Sequence, residues 1–504
     1  MAVGTLNTCR PVCLLLLAGL ALEAHPEEGL DRVIELPDAQ GAVYELLEEV
    51  TRQSGYLFVY DSRVVDNEQK TEIKKGAYTI RQAIHTLTGN PNLELRIEGE
   101  HILIGPPREK ESTGYFTLEG RLLDRYTEEA VAYASVGVSS HPLGTVSNAN
   151  GYFRLRLPDS LSHAVVYFSH LGYLRKDCEL PCTEAYTGII HMEPKVISIQ
   201  EVVVRLVNPR RAVNNMLNRR ETNYADRPVY FTTFYREGVE RKKGFVTLTE
   251  AVFKVYKTPY NLPPSADRVK LLKMRRIRNE NERDTLIAKI KSGIDACLLL
   301  DLVKNPPDFL QPDGEHPYDY VHSDLTVVNN RPVNIISFEQ KKEVKEPLYK
   351  GELFLDAEND ALLSARFELH PRYVEKATAM LVAQKSKNLD IVARRVVYNV
   401  SYTPWNGRYY VHHIRGDLYF RIRKKSQLFS SSTIHTWFEM VTCRIETENV
   451  SRFTSEETLR TRTVFAETHF SYDSDFWDNF NIIPPEEQLS EAIARIRSKV
   501  EETQ

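Results

Sequence analysis

Catalysis needs reactive side chains held within reach of one another, and this sequence offers few such groupings. His25 and Glu28 make an H-x-x-E spacing, but they lie just past an apolar N-terminal run, in chain with no periodicity to hold them. His412 and His413 are adjacent on a run that reads as a strand, so they should point to opposite faces and share no metal ion. His435 and Glu439 would share a strand face, yet four residues of extended chain span roughly 13 Å, too far for one ion without a bend. Tyr235-Arg236-Glu237 has reactive side chains, but a strand separates Tyr from Arg, and a cross-strand ion pair accounts for the charges. Hydrolysis by paired carboxylates would need groups such as Asp356 and Glu439 to converge within about 10 Å in a cleft. No H-E-x-x-H, G-x-S-x-G, phosphate loop or dinucleotide fingerprint occurs. The expectation is a non-enzymatic protein with no catalytic, metal-binding or cofactor-binding residue and no cofactor.

The length, 504 residues, allows about three domains, and 65 Lys+Arg against 69 Asp+Glu leave a net charge of -4. With 42% apolar and 27% charged residues, wholesale disorder and a globally basic, nucleic-acid-coating protein are excluded. The apolar run Val12 to Leu22 is about half of the ~20 residues that a membrane-spanning helix needs. Arg10 before it and the small residues Gly19, Ala21 and Ala24 after it describe a secretory signal peptide over residues 1–24, so the mature protein should be exported. Leu17-Ala18-Gly19-Leu20 resembles a lipoprotein signal in which Leu20 replaces the acylated cysteine, so any membrane association should be peripheral. Losing the leader leaves Cys178, Cys182, Cys297 and Cys443. Cys178 and Cys182 form the one close pair and a candidate disulfide, which requires a turn at Leu180-Pro181 because extended chain would hold them roughly 13 Å apart.

Residues 30–105 repeat a helix-then-strand pattern: Val43, Leu46, Leu47 and Val50 before Leu57-Phe-Val-Tyr60, then Ile80, Ala83, Ile84 and Leu87 before Ile102-Leu-Ile104. Two half-units on one small sheet is the simplest α/β fold for this. Between residues 26 and 105 there are 15 acidic and 8 basic side chains, a net of -7 that suits either a basic partner or a solvated acidic face that aids solubility. Phe58 to Asp61, the helix entry Tyr78-Thr79-Ile80 and the closing Ile102-Leu-Ile resemble the short N-terminal domain of secretins and TonB-dependent receptors. The resemblance implies a periplasmic interaction domain at the outer membrane.

Pro106 to Gly114 reads as a linker, and residues 115–195 read as an antiparallel β-sandwich, with Asn150-Gly151 as a two-residue hairpin turn. Leu118 to Asp124, Ala134-Ser-Val136, Gly144-Thr145, Asn150 to Phe153 and Leu171-Gly-Tyr173 are similar to the carboxypeptidase regulatory-like domain, although Asn148 and Asn150 stand where an acidic residue is common. That module implies no peptidase activity. It often precedes the plugs of Bacteroidota outer-membrane receptors.

Residues 196–224 should form a connecting strand and a helix opening at Pro209. Residues 204–283 carry 19 basic and 8 acidic side chains, and Arg241, Lys242, Lys243, Lys273, Arg275, Arg276 and Arg278 form a candidate basic surface for lipid phosphates or an acidic partner. Charged residues alternating outward on strands account for most of that block.

Over residues 225–480 strict alternation, as in Leu363, Ala365, Phe367 and Leu369, describes a large curved antiparallel sheet or half-barrel, followed by a C-terminal helix over 481–504. The fold class is thus multidomain and mainly β. Gly351 to Asp356 with its return strand resembles periplasmic carriers of lipids and lipoproteins, and Phe231 to Glu237, Leu298 to Asn305 and Phe476-Trp477 resemble Bacteroidota envelope proteins of unknown function. These resemblances imply a periplasmic interaction or accessory module at the outer membrane or in a TonB-dependent system, with a TonB-dependent receptor or transporter component as partner and no nucleic acid. A lipid or lipoprotein carrier and an uncharacterised hydrolase are the alternatives.

Overall fold

Apolar residues at helical spacing put Val43, Leu46, Leu47 and Val50 on the buried stripe of the helix Val43–Ser54, and Ile80, Ala83, Ile84 and Leu87 on that of Ile80–Thr88. Gly55 and Gly89 end these helices in the left-handed region at φ 81° and 65°. Thr79 and Gln82 cap the second helix reciprocally, each side chain accepting the other's backbone N–H. The computed structural model describes residues 29–486 apart from 61–63, 92, 99, 106–113, 182–187, 196–206, 242–243, 279–287, 291–292, 312–315, 386–387, 427–430 and 460–479. The expected signal peptide and most of the expected C-terminal helix lie outside the described residues. Asn481 to Glu486, assigned above to that helix, are in neither helix nor strand.

The chain divides into two compact units between Thr113 and Gly114. In the first unit the single sheet expected above is instead three small ones. Val33–Leu36 pairs with Gly76–Thr79 and Ala39–Ala42 with Lys70–Ile73, while Leu57–Tyr60, His101–Gly105 and Glu94–Glu98 form a separate sheet. Pro37 has no N–H to continue the first ladder, and the Asp38 carboxylate accepts the Lys75 N–H in the gap.

The second unit begins with a sandwich. Tyr115–Asp124, Tyr152–Pro158 and Ile189–Met192 form one sheet; Gly144–Val146, Ser135–Val138, Val165–Ser169 and Lys176–Glu179 form the other. Leu122, Val136, Phe153, Leu155 and Phe168 are buried between them. Asn150-Gly151 does not close a hairpin, because the strands before and after it belong to different sheets. Asn148 organises that corner, its side-chain oxygen accepting the N–H groups of Asn150 and Tyr152.

The rest of the unit is built on a ten-stranded antiparallel sheet: β1 Val229–Arg241, β2 Gly244–Lys257, β3 Arg268–Arg278, β4 Tyr318–Val328, β5 Arg331–Gln340, β6 Tyr349–Asp356, β7 Leu362–Leu369, β8 Leu389–Trp405, β9 Arg408–Lys424 and β10 Ser431–Glu446. The spatial order is β3-β2-β1-β10-β9-β8-β7-β6-β5-β4, so the last strand returns to pair with the first. Asn329-Asn330 and Asn406-Gly407 close two-residue hairpins with all four residues at positive φ, as the right-handed twist requires. Register shifts in β1, β2, β4, β6 and β8 bend the sheet.

Its concave face is packed by the helix Pro209–Asn218, through Ala212, Val213 and Met216, and by the β3–β4 crossover, through Ile294, Cys297, Leu302, Val303, Phe309 and Leu310. Phe309 stacks on Phe338 at 4.4 Å and meets Phe367 at 5.0 Å. Phe309→Ala should destabilise the second unit by about 3–5 kcal/mol, read as a lower urea midpoint at unchanged slope. Each unit has its own buried cluster, so residues 114–504 expressed alone should keep the far-UV spectrum and thermal transition of the same region in the full chain; insolubility of that fragment contradicts this.

Candidate functional site

Strand alternation splits the basic block instead of gathering it into a surface. Arg275 on β3 lies 2.5 Å from the buried Glu250 carboxylate of β2, while the next residue, Arg276, donates to Thr249. The Lys273 ammonium sits over the Phe480 ring. Arg241 is half-buried at the end of β1, Lys242 and Lys243 lie outside the described residues, and Arg278 ends β3. Cys178 is disulfide-bonded, the Leu180-Pro181 bond is cis, and Cys182 lies outside the described residues.

The Arg275–Glu250 pair opens a charged seam along the outer face of β2, β1, β10 and β9. Arg236, 1% exposed, contacts Glu250 at 2.7 Å and Glu439 at 3.4 Å. Glu439 also meets Arg415 at 3.4 Å and His413 at 3.7 Å. Arg415 holds Asp417 at 2.9 Å, Asp417 holds His435 at 2.9 Å, and His435 lies 3.4 Å from Glu240, which accepts from the Trp437 indole. Tyr235, one residue from Arg236, is buried in the concave core. His435 and Glu439 therefore share a network but no partner. Burial alone would raise Glu439; His413, Arg415 and Arg236 together hold it at about 2. Burial would lower His435, but Asp417 and Glu240 push it up to about 9.

His412 and His413 depart from the alternation expected of them. The register shift opposite Ser401 and Tyr402 leaves His412 as an extra residue on β9, and both imidazoles reach the sandwich. His413 stacks on Tyr133 at 5.3 Å. His412 lines a small cavity of about 90 Å³ with Val138, Leu143 and Gly144, and burial and neighbouring His413 lower it to about 4. Asp356 belongs elsewhere: it is buried against Arg331 and Tyr409 and accepts the N–H groups of Glu358 and Asn359, so it does not converge with Glu439.

A second buried network is absent from the sequence reading. Lys257 contacts Asp267 at 3.0 Å and Asp301 at 2.7 Å, and Lys304 contacts Asp267 at 2.7 Å and donates to Thr258. Burial and neighbouring Lys257 bring Lys304 down to about 8. Its signal was Asp301 interrupting, and Lys304 ending, the apolar run Leu298 to Val303, since charges in a stretch that must be buried need partners.

The open feature is a groove of about 590 Å³ on the outer face of β4 to β8. The ladders align two rows of its side chains across the strands: Asp319, Glu339, Lys350 and Glu368, and beside them Val321, Ser337, Glu352 and Arg366. Lys350 and Arg395 meet Glu368, and His370 meets Glu339. Lys341, Lys342 and Arg366 have no ion-pair partner among the described residues.

Residues 118–204 match the model of the CarboxypepD_reg-like domain family. The sandwich is accordingly a carboxypeptidase regulatory-like domain. No curated protein matches the chain. Among solved structures, an outer membrane lipoprotein-sorting protein domain from Vibrio parahaemolyticus is 9% identical, over 49% of this chain and 95% of that one, at a TM-score of 0.21. Lipovitellin is 8% identical over 48% of this chain and 27% of its own, at 0.24. A DUF1329 family protein from Desulfovibrio piger is 11% identical over 49% and 96%, at 0.21. Scores this low leave the function to be argued from the chain itself.

The seam sets a pH dependence. His435 is raised above its unfolded value of about 6.5, so its contribution is complete below that pH and is lost as pH rises through about 9. Glu439 and Asp417 are depressed, so theirs is present above about 4.5 and lost as pH falls toward 2. Thermal midpoints across pH 6–10 should fall for the wild type and stay flatter for His435→Gln.

Proposed function

We propose that this chain is a non-enzymatic protein of the bacterial cell envelope, exported by its N-terminal leader, that holds a partner protein on the outer face of its ten-stranded sheet. The groove over β4 to β8 carries this reading. Its walls mix both signs of charge in two aligned rows, with Lys341, Lys342 and Arg366 left unpaired among the described residues, and such a surface suits an extended protein segment bearing charges of its own. A lipid tail would find the apolar lining from Val321, Tyr373 and Val397 interleaved with charged side chains, and the concave face that a carrier would use is filled by Phe309, Leu310, Met216 and their neighbours. Asp356 and Glu439 sit in separate buried networks, which favours binding over hydrolysis.

The remaining features agree with an envelope accessory protein. The leader pattern before His25 directs export, and the first unit, with its two capped helices, reads as a short N-terminal domain of the secretin and TonB-receptor kind. A component of a TonB-dependent system in a Bacteroidota outer membrane is the partner this arrangement fits.

A photo-crosslinking residue at Val321 tests the reading in native envelopes. One protein adduct should form, and Lys342→Glu combined with Arg366→Glu should reduce it at least tenfold without lowering the thermal midpoint. Labelling of lipid alone, or an adduct indifferent to the charge reversals, sinks it.

A further inference from the structure

The segment Phe480–Glu486 joins no strand, yet Ile482 and Ile483 are 5% and 0% exposed. They fill an apolar slot made by Val146 of the sandwich and by Phe234, Val252, Val441 and Cys443 on the outer face of the sheet. Five consecutive backbone carbonyls of this segment are each taken by a side chain of the slot. The Cys443 thiol donates to Asn481 O at 3.3 Å and the Thr145 hydroxyl to Ile482 O at 3.2 Å. Arg236 donates to Ile483 O at 2.6 Å and to Pro484 O at 3.4 Å. The Asn148 amide reaches both Pro484 O and Pro485 O at 3.2 Å. At the entrance the Asn481 side chain accepts the Arg156 N–H at 2.6 Å and donates to the Arg156 carbonyl at 3.2 Å.

A segment that belongs to a sheet is held by backbone ladders on both partners. Here rigid walls supply side-chain donors, and the segment supplies acceptors. Two successive prolines suit such walls, since proline offers a carbonyl and no N–H that needs a partner. The two isoleucines ahead of them provide branched anchors. Most contacts read the main chain or an apolar anchor, and the Asn481 side chain on Arg156, Glu486 at 3.6 Å from Arg415 and Phe480 under Lys273 add side-chain readout at the two ends, so the walls specify a sequence pattern.

We propose that the slot between the carboxypeptidase regulatory-like domain and the sheet is a peptide-binding site for an extended segment with two branched aliphatic residues followed by two prolines, filled in cis by residues 480–486. The segment opens without unfolding of the unit, and a partner chain presenting the same pattern takes its place. This site is separate from the groove over β4 to β8 and stands independently of it.

The test uses the full chain with a protease site inserted between Asp475 and Phe476. After cleavage, a labelled peptide Phe-Asn-Ile-Ile-Pro-Pro-Glu should bind one to one, and a peptide with the second isoleucine replaced by aspartate should bind at least thirtyfold more weakly. The uncut chain should bind the labelled peptide at least tenfold more weakly than the cut one. Hydrogen exchange on the uncut wild type gives a reading that needs no variant: the Ile482 and Ile483 amides should exchange faster than those at the centre of β10. Equal binding of both peptides, no binding by cut chain that keeps its thermal transition, or exchange at 482–483 only through global unfolding overturns the proposal.

Discussion

Arg236 places a guanidinium cation with five N–H donors where there is almost no access to water. A buried cation of this kind costs several kcal/mol unless charge and hydrogen bonds surround it. The structure meets that requirement from parts of the chain far apart in sequence: Glu250 on β2, Glu439 on β10, and the carbonyls of Ile483 and Pro484. Neutralisation then spreads outward, because Glu250 is shared with Arg275 and Glu439 with Arg415. Five neighbouring strands, β3 to β9 in spatial order, are thereby tied on their outer side by charge.

The other half carries more exposed pairs on its outer side, such as Lys350 and Arg395 on Glu368, and is held mainly from within. Phe309, Phe338 and Phe367 stack on the concave face, and the lysine–aspartate quartet fastens the β3–β4 crossover at Thr258, Asp267 and Asp301. Well-packed apolar residues of similar volume can match a buried ion cluster in stability. What the quartet adds is directional: each ammonium faces two or more oxygens, which positions the crossover relative to β2 and β3.

This division shapes the outer face. Over the charged half the sandwich and the Phe480–Glu486 segment cover the centre of the seam, where Arg236, Glu250 and Glu439 are buried. Over the apolar half the same face is left open, and its exposed charges form the groove. The two surfaces have opposite recognition chemistry: the slot offers donors and apolar walls to a main chain, whereas the groove offers side chains of both signs to other side chains.

Much of the architecture was legible in the chain. Apolar periodicity located the two N-terminal helices and alternation located the long strands, because each depends on neighbours a few residues apart. The resemblance carried by Leu118 to Tyr173 likewise identified the sandwich. Alternation also implied that Tyr235 and Arg236 part company. Tertiary structure alone decided the rest. A bulge on β9 sent His412 and His413 to the same neighbour, the basic block was divided by strand pairing, and Asn148, notable in the sequence only for standing where an acidic residue is common, organises a corner and reaches the Pro484 and Pro485 carbonyls. Charge counts could not foresee that Arg275 meets the buried Glu250 or that Lys304 is buried, since both depend on which distant carboxylate the fold places opposite. Local pattern determines which face a residue takes; long-range pairing determines what it meets there.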